Sequence, residues 1–382
     1  MYQQYGQGDP LFMTLYGAAA MLSLTACFYL LFRRANAIAP DVSSSIRLRR
    51  WTAAFFACMT LSHLWYFPLA FLTSTEDVLL SYLVGAILDF MTLIPLAIVI
   101  MFVMLQDRRR PLWPIAMMMV PPIIVLAVCI VNRSISLFPI FYTYYILLGI
   151  GLIIYMVRAL RQYGRWLRDN YADLEHKEVR QSFVVLAIIL MVFGLYSFAF
   201  KDQIYKYIVQ VNDFLMIGYL LWRVETLSDL SISQPQDLPT EADDLLAIHT
   251  DTTKDEDNGL SLLSFRNNIE PLLKQYCEES QLYLQHDMTL SRLAKEIGIN
   301  RFYLSQYFSN LGMNYNAYIN NLRINHFVNL YREAVAAHCP VIAQQLALES
   351  GYQSYRTFSD AFKRKMGQSV TAWMRAENEG LG

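Results

Sequence analysis

Two short stretches near the C-terminus carry side chains of the kinds that hydrogen-bond to the edges of bases. In the first, Asn300, Arg301, Ser305 and Gln306 lie opposite an apolar set, Leu304, Phe308 and Leu311. In the second, Gln353, Ser354, Tyr355, Arg356, Ser359 and Lys363 lie opposite Phe358 and Phe362, with Asp360 on the same outer face. A guanidinium can take guanine bidentately, a carboxamide can take adenine, and a carboxylate can accept from cytosine N4. Lys363, Arg364 and Lys365 supply charge suited to phosphates, which fix register without reading sequence. From Ser261 onward Lys plus Arg only slightly outnumber Asp plus Glu. Any affinity for a polyanion must therefore come from local placement rather than bulk charge.

The elements that would hold these residues form one pattern written twice. The first copy reads LSRLAKEIGINRFYLSQYFSNLG from Leu290, and the second reads IAQQLALESGYQSYRTFSDAFKRKMG from Ile342. With Ala294 placed on Ala347, Gly298 falls on Gly351, and the following Leu/Phe positions agree to within one residue. Each copy predicts a short helix, a glycine-bearing break and a second helix that buries one face. The small alanine permits a close helix crossing, and glycine accepts the positive φ that a tight turn needs. Such a pair is a helix-turn-helix, whose second helix fits a DNA major groove. Between the copies, Asn314 to about Val335 has no Gly or Pro and carries Tyr318, Leu322, Phe327, Leu330 and Tyr331 as candidate core residues. A helix of that length spans about 30 Å at 1.5 Å per residue. Successive major grooves on one face of DNA are about 34 Å apart, so one chain could address two groove segments.

The region from about Leu263 to Arg375 resembles the DNA-binding domain of AraC-type transcription regulators. The residues carrying the resemblance are Leu290–Ala294 (LxxLA), Tyr303–Phe308 (YLSQYF), Gly312, Arg323, Ile342–Tyr352 (IAxxLAxxxGY) and Phe358–Gly367 (FxxxFKRKMG). Three positions depart from the family's habit in ways suited to packing. Tyr352 stands where Phe is usual, Phe327 where a small residue is common, and Val370 where Pro usually follows the last glycine. Asp360 replaces a residue that is often basic or polar. The resemblance implies an all-α domain of two helix-turn-helix units joined by a long helix. It also implies double-stranded DNA and RNA polymerase as partners, no cofactor or metal, and activation as the commoner outcome. It leaves the operator sequence and the oligomeric state open.

The chain before this region has a different composition. Hydrophobic residues make up 55% of the whole, concentrated in residues 1–225 as runs long enough to cross a bilayer. Seven spans are expected: Leu11–Phe32, Trp51–Leu72, Val78–Leu105, Leu112–Val131, Phe138–Val157, Phe183–Phe200 and about Tyr207–Trp222. The first is not a cleaved signal, because basic residues follow it rather than precede it. Arg33, Arg34, Arg47, Arg49, Arg50, Arg108–Arg110, Arg158, Arg161, Arg165, Arg168, Lys177, Arg180 and Arg223 all fall on one side of the expected membrane. Only Arg133, Lys201 and Lys206 fall on the other. The positive-inside rule then places the N-terminus outside and the C-terminus in the cytoplasm, as an odd number of spans requires. The expected location is a bacterial cytoplasmic (inner) membrane, with the lipid bilayer as a partner.

Inside these spans His63, Asp89 and Asp213 are ionisable, which is costly in lipid and marks a functional or paired site. With Pro68, Pro95, Pro121 and Pro122 nearby, and Trp65, Tyr66, Tyr142, Tyr144 and Tyr145 as lining, they are candidates for sensing a small-molecule ligand or a proton. The opposing reading is that they only hydrogen-bond between helices, with the aromatics forming interface belts. Between the two halves, 226–260 carries many Asp and Glu, Pro235 and Pro239, and Lys254 as its one basic residue. That composition favours an unfolded tether, or an acidic arm that competes with DNA. The five cysteines lack metal or disulfide spacing and read as reduced packing residues. No HExxH, GxSxG or P-loop is present, and Asp89 and Asp213 lack the GxGD context of intramembrane aspartyl proteases. An enzyme is not expected.

The expected architecture is therefore all-α: a seven-helix transmembrane bundle over 1–225, an acidic linker over 226–260 and a tandem helix-turn-helix domain over 261–378. The expected function is a membrane-bound one-component transcription regulator. The alternative is a membrane receptor or transporter whose helix-turn-helix tail binds a protein partner.

Overall fold

The computed structural model describes residues 9–134, 136–188, 204–230 and 269–381. The acidic linker lies almost wholly outside the described residues, as does most of the sixth expected span, of which 183–188 is described and helical. The described residues are helical, with two isolated β-bridges and no strand. They form two compact units, one of residues 1–164 with 176–231, the other of 165–175 with 232–382.

In the first unit, α1 (Pro10–Phe32), α2 (Ile46–Trp65), α3 (Thr75–Met104), α4 (Trp113–Val131), α5 (Phe138–Asn170) and α6 (Ile204–Thr226) follow the apolar runs. Of these, α1, α3, α4 and the stretch Pro139–Asn170 are long and apolar enough to cross a membrane. Their outer faces carry large apolar side chains in the open, such as Met21, Phe28, Met117, Ile124, Leu147 and Ile153. A helix in water would bury such a face, and one in lipid need not.

The other two helices are less apolar for identifiable reasons. The helix α2 starts earlier than the expected second span and takes in Arg47, Arg49 and Arg50, and it ends at Trp65, where Pro68 heads a 3₁₀ turn, Phe67–Ala70. The helix α6 contains Lys206, Asp213, Arg223 and Glu225. At the basic end of this unit the buried Glu225 carboxylate accepts from the Ala37 and Ile38 N–H groups at 3.0 and 2.9 Å. That ties the α1–α2 connection to the end of α6. At the other end Asp9 accepts from Lys206 Nζ at 2.5 Å and from the Tyr207 hydroxyl, which holds the Asp9 carboxyl down at about 2.

The second unit holds α7 (Leu290–Glu296), α8 (Arg301–Asn310), α9 (Tyr315–Ala336), α10 (Ala343–Glu349), α11 (Tyr355–Met366) and α12 (Val370–Leu381). Side-chain caps define its helix starts. Thr289, Asn300, Asn314 and Ser354 each accept a backbone N–H of the first turn, which satisfies donors the helix cannot. Gly298 and Gly351 have φ +72° and +88° in the two turns, and Gly367 ends α11 at φ +73°. Two apolar cores form. One gathers Leu290, Leu293, Ala294, Leu304 and Phe308 with Tyr315 and Ile319 of α9. The other gathers Ala347, Tyr352, Phe358 and Phe362 with Ile324, Phe327 and Tyr331 of α9, closed by Trp373. The helix α9 thus donates its first half to one core and its second half to the other. Phe327 packs 4.4 Å from the Phe358 ring centroid, filling space a small residue would leave.

Candidate nucleic-acid interface and membrane cluster

Each half of the second unit is a helix-turn-helix, α7–α8 and α10–α11, with the second helix of each pair exposing a polar face. Asn300, Gln306, Gln353, Arg356, Lys363 and Arg364 are exposed. Arg301, Ser305, Ser354 and Ser359 are half-buried. The spacing logic follows from the cores, since Leu304 and Phe308 face inward on α8, and Phe358 and Phe362 on α11. The helix α9 is 22 residues long, about 33 Å at 1.5 Å per residue, which suits two readers on one face of a duplex.

The structure departs from the sequence expectation at four residues of this unit. Tyr355 turns toward the second core, its ring 5.8 Å from that of Phe358. Leu311, expected inside, follows the end of α8 and is exposed, and Tyr307 takes the buried place instead. Lys365, expected at phosphate, reaches back to α9, where its Nζ donates to Asn321 O at 2.9 Å and Asn325 Oδ1 at 2.7 Å. Its partial burial lowers the ammonium pKa. Cys339 is exposed rather than packed, and all five cysteines are free thiols. Asp360 is exposed, and its backbone carbonyl accepts from Arg364 Nε at 3.2 Å.

Buried polar side chains that hydropathy does not reveal hold the two halves together. Arg323 is fully buried, and its Nε and Nη2 donate to the carbonyls of Tyr283 and Gln285 at 2.7 and 2.6 Å. Burial opposes its charge, offset by nearby groups that include Asp173. Asn316 and Asn320, also buried on α9, point at the backbone of Tyr171 and Ala172. Periodicity treats such positions as solvated, and only the resemblance singled out Arg323.

In the first unit the three ionisable residues come together. His63 Nδ1 lies 2.8 Å from the Met59 carbonyl, so it must carry the hydrogen of that bond. The other ring nitrogen, Nε2, then faces Asp213 Oδ2 at 3.8 Å. Neutral His63 presents a lone pair there, so a favourable contact requires a proton on the imidazole or on the carboxyl. Asp89 accepts at 3.2 Å from Nε1 of Trp65, two residues along α2 from His63. Tyr16 donates to the His63 carbonyl, with the two rings 4.7 Å apart. Of the aromatic residues expected to line a cavity, Tyr144 donates to Met118 O at 2.8 Å. The side chains of Tyr142 and Tyr145 lie outside the described residues. No cluster of His, Cys, Asp or Glu fit for a metal is present among the described residues.

Residues 293–376 match the family model of the helix-turn-helix domain. No curated protein and no solved structure matches the chain.

Proposed function

We propose that this chain, whose C-terminal region is an AraC-type helix-turn-helix domain, is a membrane-bound one-component transcription regulator. The observation that carries the reading is the pair of reading helices, α8 and α11, packed on the two halves of one helix, α9, with Gln306 and Arg356 exposed on them. In this reading Asn300, Arg301, Ser305, Gln306, Gln353, Ser354, Arg356 and Ser359 meet bases or the adjoining backbone, and Lys363 and Arg364 meet phosphate. Residues 1–225 form a multi-pass membrane domain with the N-terminus outside, 226–260 a tether, and 261–378 the cytoplasmic reader.

The signal enters at His63, Asp89 and Asp213. A proton or a small ligand able to bond to them changes the charge pattern where α2, α3 and α6 meet. RNA polymerase is the partner through which the bound reader acts.

The test is cross-linking and recovery of DNA from intact cells that express the full-length protein, compared with a Gln306→Ala/Arg356→Ala variant. Discrete sites present for the wild type and lost in the variant are expected. Equal recovery from both, with protein in the membrane, would leave the tail as a protein-binding module instead.

A further inference from the structure

Residues 165–175, the end of α5 and the residues just after it, fold with the C-terminal unit, although in the chain they lie between two stretches of the first unit. Tyr171 forms an antiparallel bridge with Thr289, and the Ala172 N–H donates to Met288 O at 3.3 Å. Ala172 belongs to the first helix-turn-helix core. From α9, Asn316 Nδ2 donates to the carbonyls of Tyr171 and Ala172 at 3.1 and 2.6 Å. The segment's two ends then reach the two reading helices. Asn170 Oδ1 accepts from Arg301 Nη2 at 2.5 Å. Glu175 Oε2 accepts from Ser354 Oγ at 2.6 Å and Thr357 Oγ1 at 2.7 Å.

We infer that this segment is an internal competitor of DNA that holds both readers in an occluded state. Arg301 and Ser354 open α8 and α11, and the N-terminal turn is the part of a reading helix that meets the duplex. A helix N-terminus flanked by hydroxyl donors favours an anion, and the Glu175 carboxylate supplies one. A phosphate arriving at Ser354 and Thr357 meets a negative charge already hydrogen-bonded there. A guanine approached by Arg301 must first draw that guanidinium away from Asn170. The two contacts are only five residues apart along one short segment, so displacing it frees both readers together. The segment continues α5 on one side and runs into 176–231 on the other, so the first unit has a direct covalent hold on the occluding piece. The inference rests on the DNA-reading function proposed above.

The test uses full-length protein in lipid nanodiscs and a random-sequence duplex library, from which bound DNA is selected and its affinity measured. Wild type is compared with Glu175→Gln, with Asn170→Ala/Glu175→Gln, and with Arg356→Ala. Loss of a charge-assisted contact and its two hydrogen bonds should tighten binding about tenfold in the double variant and by a smaller factor in Glu175→Gln, which keeps the shape of the side chain. Equal or weaker binding by variants whose amide-exchange protection in α9 matches the wild type would overturn the inference and make the segment a brace. If the double variant loses that protection, Glu175→Gln alone decides by the same criterion. Binding that Arg356→Ala leaves unchanged would instead remove the DNA-reading premise, and the occlusion with it.

Discussion

The guanidinium of Arg323 lies 5.5 Å from the centroid of the Tyr352 ring, while its nitrogens bond the carbonyls of Tyr283 and Gln285. One side chain thus links the segment before the first helix-turn-helix to the residue after the second turn. The Tyr352 hydroxyl is buried with no hydrogen-bond partner among the described residues. Tyr352→Phe keeps the ring under the guanidinium and removes the unsatisfied group, so it should be neutral or stabilise by up to about 1 kcal/mol. Arg323→Met strands two carbonyls and should cost about 3 kcal/mol. Amide hydrogen exchange of α9 peptides in the full-length protein reports both, with opposite signs expected.

The two turn glycines should differ in tolerance. Both have positive φ, but a Cβ at Gly298 meets open space, whereas at Gly351 it would lie 2.6 Å from the Leu284 carbonyl oxygen. Gly298→Ala should cost about 1 kcal/mol, the ordinary left-handed penalty. Gly351→Ala adds a clash with backbone that His286 helps to hold in place, its Nδ1 3.0 Å from Gly351 O. It should cost roughly 3 kcal/mol. Thermal inactivation of DNA binding ranks the two, and equal loss would contradict the packing.

Thiol chemistry separates two cysteines of the reader. Cys277 is fully buried, and its thiol is pushed up to about 12 by desolvation, with Glu278 adding to the shift. Thiolate is the reactive form, so raising pH from 7 to about 9 should leave Cys277 unlabelled by maleimide in the folded protein. Cys339 is exposed and should label throughout. Peptide mapping after labelling distinguishes them, and Cys277 modification at a rate close to that of Cys339 would mean the first core opens readily.

Base readers and phosphate anchors should separate by salt and sequence. Arg356→Ala is expected to cost about 1–3 kcal/mol on preferred sites and to relax preference at one position, whereas Lys363→Ala should weaken all duplexes alike and lower the salt slope by about one. Binding titrations across ionic strength on preferred and scrambled duplexes measure both.

At the membrane cluster, Asp213→Asn removes the carboxylate facing His63 Nε2. Reporter output in cells should then lose its response to the stimulus while the purified protein binds DNA with wild-type affinity. Unaltered output across stimuli and external pH would make the His63–Asp213 contact an ordinary interhelical bond.

The tandem readers were legible in the sequence because each copy repeats Ala, Gly and paired apolar positions at fixed offsets, and those positions make the two cores. The caps were not read from the sequence, where Asn300 and Ser354 stood only as outward polar residues; the structure adds that each also accepts a first-turn N–H. Placement of polar side chains was less legible than the cores. Tyr355 and Lys365 carry outward chemistry, but Tyr355 is long enough to fold onto Phe358 and Lys365 long enough to reach α9. Thr357, Asn170 and Glu175 gave no local signal, because the contacts that matter join residues 131 to 182 positions apart. The four helices long and apolar enough to cross a membrane, α1, α3, α4 and α5, were legible as apolar runs. The start of α2 was not, since its arginines read as loop until the helix is seen to include them.

The bond from Asn316 to the Ala172 carbonyl joins residues 144 positions apart. A ribosome therefore delivers one piece of the second unit's core long before it delivers the rest, and places it between two stretches of the first unit. The C-terminal unit completes its core only by capturing that earlier segment, already made when α9 emerges. A protease that freed the tail from its anchor would release a reader lacking Ala172, with two buried asparagines facing an empty slot. On the occlusion inferred above, such a cut would uncover Arg301 and Ser354 and at the same time remove the partners of Asn316 and Asn320.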